Sequence, residues 1–167
     1  MQFTKNRFLF AWVAFFLIAG CQPDIKNKQE NLLKGYVVAI ADGDTFTLLI
    51  NGNRQLKIRL YGIDCPEKKQ AFGKAAKQEL SRLIFNKQVL INQKDIDRYK
   101  RVLAIVYDEH NVCINETMLS TGLAWHFTRY DNNPHWQQLE DNARLQKIGL
   151  WAEDNPLPPW QWRAANN

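Results

Sequence analysis

Cysteine, histidine and long apolar runs are all scarce in this chain of 167 residues. Its three cysteines, Cys21, Cys65 and Cys113, make no framework pattern, so this is not a small fold stapled by disulfides. Cys65 sits in a dense polar motif and Cys113 on an apolar strand-like run, and both read as unpaired. The three histidines, His110, His126 and His135, are scattered, and no His/Cys group has zinc spacing. No internal repeat is visible. An apolar run of eleven residues, Phe8 to Ile18, is too short to cross a bilayer comfortably. Against these absences stand 46% apolar and 23% charged residues, the balance of a globular chain. The length suits one domain with a real core and little more.

The apolar run has the flanks of an export signal. Lys5 and Arg7 precede it, and Ile18-Ala19-Gly20-Cys21 follows, with small residues directly before a cysteine. This resembles a bacterial lipobox, whose cysteine is lipidated and becomes the mature N-terminus. An ordinary secretory signal or an uncleaved anchor are the other readings, and all three place the domain outside the cytoplasm. Residues 1–20 are expected to be a lipoprotein signal peptide, and residues 21–33 the lipidated Cys21 with a polar tether. Gln22 is not an aspartate retention signal, which points to an outer membrane in a Gram-negative cell. Losing residues 1–20 removes Lys5, Arg7 and no acid, so the formal charge falls from +5 to +3. That mild excess permits a polyanionic partner without demanding one.

From Tyr36 the chain reads as strands. Tyr36 to Ile40 is apolar, Asp42-Gly43 marks a bend, and Thr45 to Ile50 is β-branched and aromatic. Asn51-Gly52 is a hairpin signal. Beyond it Leu56, Ile58 and Leu60 alternate with Gln55, Lys57 and Arg59, the pattern of a half-buried strand. A helix is expected over Gln70 to Phe85, with Phe72, Ala76, Leu80, Leu83 and Ile84 on one face. Strands at Val89–Asn92 and Val102–Tyr107 follow, separated by a charged stretch from Lys94 to Arg101. A short helix over Asn115–Thr121 ends at Gly122. A last helix begins at Asn133-Pro134, stops at Gly149 and turns Trp136, Leu139 and Ala143 inward. The tail Pro156-Leu157-Pro158-Pro159-Trp160 is expected to be non-helical. Three strands, a helix, two strands and two helices describe a β-barrel with helices (α+β). That is a five-stranded OB-fold with a helix between strands three and four and two C-terminal helices. The domain is expected at 34–153 and a Pro/Trp-rich tail at 154–167.

Four segments carry the candidate chemistry: Asp42-Gly43-Asp44-Thr45, Arg59, Asp64-Cys65-Pro66-Glu67 and Asp97-Arg98-Tyr99-Lys100-Arg101. If Asn51-Gly52 is a two-residue loop, Asp44 lies opposite Arg59. Asp64 and Glu67 then fold back over the same end of the hairpin. Three carboxylates and an arginine converge there. Like charges held together need an offsetting cation, and carboxylates with a backbone carbonyl are hard ligands suited to Ca²⁺ or Mg²⁺. Each segment alone has a bland reading as turn, strand start, loop or solvated charge.

Together, in this order, they resemble the staphylococcal nuclease family. The likeness runs from about Tyr36 to Trp151. It takes in the Asp42–Thr45 turn, Arg59-Leu60-Tyr61-Gly62-Ile63-Asp64-Cys65-Pro66-Glu67 and Asp97 to Arg101. It continues through Asn115-Glu116, Gly122-Leu123-Ala124 and Gly149-Leu150-Trp151, and the Pro-Pro-Trp tail is similar to that of bacterial members. The resemblance implies that Asp44 and Asp64 ligate Ca²⁺, with the Cys65 backbone carbonyl completing the protein ligands. It implies that Glu67 acts on the attacking water and that Arg59 and Arg101 hold the phosphate. Tyr99, Tyr130 and Arg98 are then candidates for substrate binding. The implied activity is calcium-dependent hydrolysis of DNA and/or RNA, leaving 3′-phosphates, by a monomer anchored at Cys21. Three positions depart from the pattern. Cys65 replaces a threonine that ligates through its carbonyl. Lys100 replaces a glycine, which strains the chain if that position has positive φ. Thr128 stands where a stacking tyrosine is found. A non-catalytic nucleic-acid-binding module and a calcium-stabilised structural lipoprotein are the competing readings.

Overall fold

The computed structural model describes residues 32–166. The expected signal peptide, Cys21 and nearly all of the tether lie outside the described residues. Five strands close a barrel in the order β1, β2, β3, β6, β5: β1 Leu33–Ile40, β2 Thr45–Ile50, β3 Arg54–Leu60, β5 Gln88–Ile96 and β6 Val102–Tyr107. All neighbours are antiparallel except β3 and β6, which run parallel with Ile58 beside Val102 and Arg59 beside Leu103. Alternation decides what points inward. Phe46, Leu48, Ile50, Ile58, Leu60, Val102, Ala104 and Val106 are buried in one core, and Arg59 and Leu103 fall on the outer side. A second sheet of two short strands, β4 Ile63–Asp64 and β7 Trp125–His126, sets Asp64 against Trp125. This is the expected five-stranded OB-fold, with α1 (Gly73–Ile84) between β3 and β5. Ala76, Leu80 and Ile84, one turn apart along α1, are buried in the barrel core.

Several local expectations shift. The hairpin loop has three residues, because Ile50 pairs with Arg54, so Thr45 rather than Asp44 lies opposite Arg59. Asn51 and Gly52 both take positive φ, and Asn53 joins the turn. The strand expected to end at Asn92 continues to Ile96, bending at an irregularity between Gln93 and Asp95. Its charged residues face water, so they do not stop the ladder. Helix α2 (Ile114–Ser120) closes at Gly122 as expected, with Leu123 N–H donating to Met118 O at 3.0 Å. Helix α3 (Pro134–Leu145) starts as expected, with Asn133 Oδ1 accepting from His135 N–H at 3.0 Å. It stops earlier than Gly149. Lys147 takes φ 53°, and Ile148 N–H donates to Ala143 O at 3.0 Å, a closed C-terminal turn that needs no glycine. Gly149 instead opens a 3-10 turn, Gly149–Ala152.

The largest correction concerns the tail. Pro159–Asn166 is helix α4. Proline is excluded from helix interiors, but at the first position its missing N–H has no partner to lose. Pro158 O accepts from Gln161 and Trp162 N–H, both at 3.0 Å, so the helix starts on the proline pair rather than being broken by it. Trp160 stacks on Phe127 at 5.1 Å and meets Trp125 edge-on at 5.6 Å. The tail is therefore packed on the second sheet.

One close approach positions the loop between β4 and α1. A Cβ on Gly73 would lie 1.9 Å from Glu67 O. Gln70 N–H donates to that same oxygen at 2.8 Å, and Gly73 N–H to Gln70 O at 3.0 Å. Gly73→Ala is expected to lower stability by about 1–3 kcal/mol, the usual range for overpacking. Urea denaturation checks this, and an unchanged midpoint would refute the tight turn.

Candidate active site

Asp44 and Asp64 are both buried, and Arg59 joins them. Arg59 Nη1 donates to Asp44 Oδ1 at 2.5 Å and Nη2 to Asp64 Oδ1 at 2.7 Å. The sequence places them there for three separate reasons. Asp44 leaves the Asp42-Gly43 bend one residue before β2, and its N–H donates to Asp42 Oδ1 at 3.1 Å. Arg59 stands on the outer side of β3. Asp64 follows Gly62, whose φ of 69° turns the chain back after β3. Cys65 N–H completes the cradle by donating to Asp44 Oδ2 at 3.1 Å. The one-residue register difference leaves this meeting intact, because a guanidinium reaches across one position.

Burial and charge pull against each other here. Burial pushes the Asp42 carboxyl up to about 6, with the Asp44 charge adding to it. Asp64 is also held above the ordinary carboxylate range by burial, even though Arg163 and Arg59 counter it. Burial alone would weaken the charged form of Arg59, but Asp44 and Asp64 outweigh it and hold the guanidinium above its usual value. Cys65 is a buried thiol whose pKa burial drives well upward, and its Sγ–H donates to Gly43 O at 3.2 Å. Such a thiol is unreactive. Cys65 and Cys113 are both free, as expected.

Glu67 joins this group through a residue the sequence reading missed. Arg163, on α4, donates from Nη1 to Glu67 Oε1 at 2.7 Å and to Asp64 Oδ1 at 3.2 Å. Its Nη2 donates to Asp64 Oδ2 at 2.8 Å. Arg163 was missed because the tail was read as non-helical. A signal was present all the same. Pro159 at a helix start sets Trp160 and Arg163 three residues apart on one face.

Arg101 is placed differently. It immediately precedes Val102, the first residue of β6, which pairs with Ile58, the neighbour of Arg59 on β3. Its own partner is Asp97: Nε donates to Asp97 Oδ2 at 2.7 Å, and Arg101 N–H to Asp97 Oδ1 at 2.9 Å. Burial pushes the Asp97 pKa up, but its backbone and side-chain bonds to Arg101 prevail and hold it low. Tyr99 is exposed, with the Arg98 guanidinium 4.9 Å and the Arg101 guanidinium 5.4 Å from its ring centre. Tyr130 is exposed in the turn after β7, and its carbonyl accepts from Tyr61 Oη–H at 2.5 Å. Thr128 is exposed as well. None of these residues makes a hydrogen bond or ion pair to Asp44, Asp64 or Glu67.

The oxygens at the centre are those of the Asp44 and Asp64 carboxylates, hard donors that suit a divalent cation. They are not a preformed cage. Among the described residues no group of three or more His, Cys, Asp and Glu side chains is poised to hold a metal. The two guanidinium groups occupy the carboxylates instead.

Residues 57–153 match the family described as staphylococcal nuclease homologue. A Haemophilus influenzae protein named an uncharacterized endonuclease is 47% identical over 149 residues, 89% of this chain and 79% of that protein. A Shigella flexneri protein named micrococcal nuclease is 40% identical over 144 residues, 80% of this chain and 82% of its own length. Protein ParB of Escherichia coli is 37% identical, covering 81% of each chain.

Lys100 has φ 62°, the strained value that a glycine would accept freely. Arg101 is nonetheless held, because Asp97 accepts from Tyr99 N–H and Arg101 N–H on one oxygen and from the Arg101 side chain on the other. Lys100→Gly is expected to stabilise the protein by about 0.5–1 kcal/mol, the left-handed penalty less the entropy glycine loses. The thermal midpoint reads this out, and a lower midpoint would mean the turn needs the lysine.

Proposed function

Because the chain belongs to the staphylococcal nuclease homologue family and so to the nucleic-acid hydrolases, we propose that it is a calcium-dependent phosphodiesterase. It cleaves DNA and/or RNA and leaves 3′-phosphates. The observation that carries this reading is the Arg59 bridge between the buried carboxylates Asp44 and Asp64, with Glu67 one guanidinium away. Asp44, Asp64 and the Cys65 carbonyl would hold the cation. Bound there, Ca²⁺ supplies positive charge to the phosphate oxygens and orients water.

The chain's own residues do the rest. With Asp44 and Asp64 turned to a cation, Arg59 has its N–H groups for a phosphate oxygen. Arg101, just before the neighbouring strand β6, is the second arginine of this reading. Their planar forks suit a phosphodiester whose equatorial oxygens gather charge in the transition state. Glu67 stands at the edge of the carboxylate pair, where it accepts the proton of the attacking water. Tyr99 and Tyr130 offer exposed ring faces to nucleobases, and Arg98 adds charge beside them. Export and lipidation at Cys21 belong to the same reading. They rest on Lys5, Arg7, the Phe8–Ile18 run and the small residues before Cys21.

The test uses purified residues 22–167 and a fluorophore-labelled single-stranded oligonucleotide, with Ca²⁺, Mg²⁺ or chelator. Cleavage is expected with Ca²⁺ alone. Arg59→Ala, Glu67→Ala and Arg101→Ala should each lower the rate by about two to three decades, as for loss of one electrostatic stabiliser. Folded protein that binds the oligonucleotide but never cleaves it would overturn the reading and leave a binding module.

A further inference from the structure

Arg163 is in an unusual position for a residue of a C-terminal helix. Its guanidinium engages both oxygens of Asp64 and one of Glu67, two of the carboxylates on which the proposed chemistry depends. The helix that carries it is held by aromatic packing of Trp160 between Phe127 and Trp125. A second tie lies just before the helix, where Gln70 Nε2–H donates to Leu157 O at 2.5 Å. Gln70 Oε1 in turn accepts from Glu67 N–H at 3.0 Å. The tail is thus fastened to the loop that presents Glu67, and Arg163 is the part of it that enters the site.

We infer that Arg163 is a tethered cation that stands in at Asp64 and Glu67, and that α4 is a latch released when a divalent cation binds. This rests on the reading of Asp44 and Asp64 as metal ligands. A group holding both oxygens of Asp64 competes with any ion that needs one of them. Two buried carboxylates and Glu67 carry more negative charge than Arg59 alone offsets, and Arg163 supplies a second positive charge without metal, leaving a deficit that still draws a cation. Export would then deliver a chain whose acidic site is already largely offset. A divalent cation offers the same carboxylates two charges in place of one, and Arg163 withdraws. The exchange also leaves Glu67 with a free oxygen for a water. Arg163 is about one-third exposed, against none for Asp64, so its way out is toward solvent.

Linkage makes the exchange measurable from both sides. If α4 and the metal exclude each other at Asp64, removing Arg163 tightens metal binding, and metal loosens α4 by the same factor. Calcium affinity is to be measured by equilibrium dialysis for residues 22–167, wild type, Arg163→Gln and Trp160→Ala. Trp160→Ala loosens the latch while keeping its charge. Both variants are expected to bind Ca²⁺ at least about fivefold more tightly, a typical size for coupling between sites. Hydrogen exchange should show amides of α4 losing protection when Ca²⁺ is added to the wild type, while those near Asp44 and Asp64 gain it. Circular dichroism establishes that each variant is folded, and Arg163→Lys, which keeps charge but loses the fork, should fall between. Equal or weaker calcium affinity in both folded variants, with α4 protection unchanged, would overturn the latch and leave the nuclease reading standing. Absence of calcium binding by every form at millimolar concentration would overturn both.

Discussion

Two carboxylates withdrawn from water, Asp44 and Asp64, have to be neutralised, and the arrangement of the molecule around them follows from that need. An unpaired buried carboxylate carries a desolvation penalty of several kcal/mol, comparable with much of the net stability of a domain this size. Arg59 reaches both from the outer side of β3. It does so only because the barrel closes with β3 between β2 and β6, and because Gly62 turns the chain back after Leu60 so that Asp64 returns to the strand it left. Breaking this bridge would leave Asp44 without its guanidinium and Asp64 with Arg163 alone. Replacing it with apolar side chains would satisfy burial and remove the charges from the centre. The site is therefore held by the same contacts that make it costly, and its carboxylates wait on cations for their stability.

The barrel end where this happens is built from close approaches that allow little substitution. A Cβ on Gly43 would lie 2.7 Å from Ala76 Cβ on α1 and 2.8 Å from Cys65 Cβ. The Asp42–Asp44 bend, the Cys65 backbone and α1 are thus packed on one another at backbone distance. Asn115 adds a polar brace deeper in. It is fully buried, accepts from Val106 N–H at 3.0 Å and donates to Tyr61 O at 2.9 Å. It ties β6 to the segment that follows Arg59. Such satisfied buried polar groups fix one arrangement among several of similar apolar burial.

The architecture was legible in the sequence wherever period and chemistry agreed. Alternation through Leu56, Ile58 and Leu60 located β3 and its polar side. The spacing of Ala76, Leu80 and Ile84 located α1. Asn133-Pro134 located the start of α3 to the residue. Meeting of Asp44, Arg59 and Asp64 was also legible, since hairpin geometry tolerates an error of one position when the partner is a long arginine. Reading failed where one local rule was applied without its exception. Asn51-Gly52 suggested a two-residue loop, but Asn53 joined it. Gly149 looked like a helix stop, but Lys147 accepted the left-handed turn. Consecutive prolines looked incompatible with a helix, but Pro159 sits where a helix begins. Charge from Lys94 to Arg101 looked like the end of a strand, but on an outer face it lets pairing continue to Ile96.

The tail error has the widest consequence, because it hid a residue from the site. Arg163 is separated from Asp64 by 99 positions, and no local pattern in the tail hints at that partner. What links them is aromatic. β4 and β7 place Asp64 beside Trp125, and the Trp125 ring is where Trp160 packs. The exposed Tyr130 ring meets Phe127 edge-on at 5.1 Å, and Phe127 stacks on Trp160. A run of rings thus extends from the protein surface to the helix that carries Arg163. A ligand that stacks on Tyr130 would press on the same contacts that seat α4. Tyr130 and the tail thus share one run of ring contacts, and under the proposed latch the occupancy of the carboxylates and the seating of the tail are two aspects of a single equilibrium.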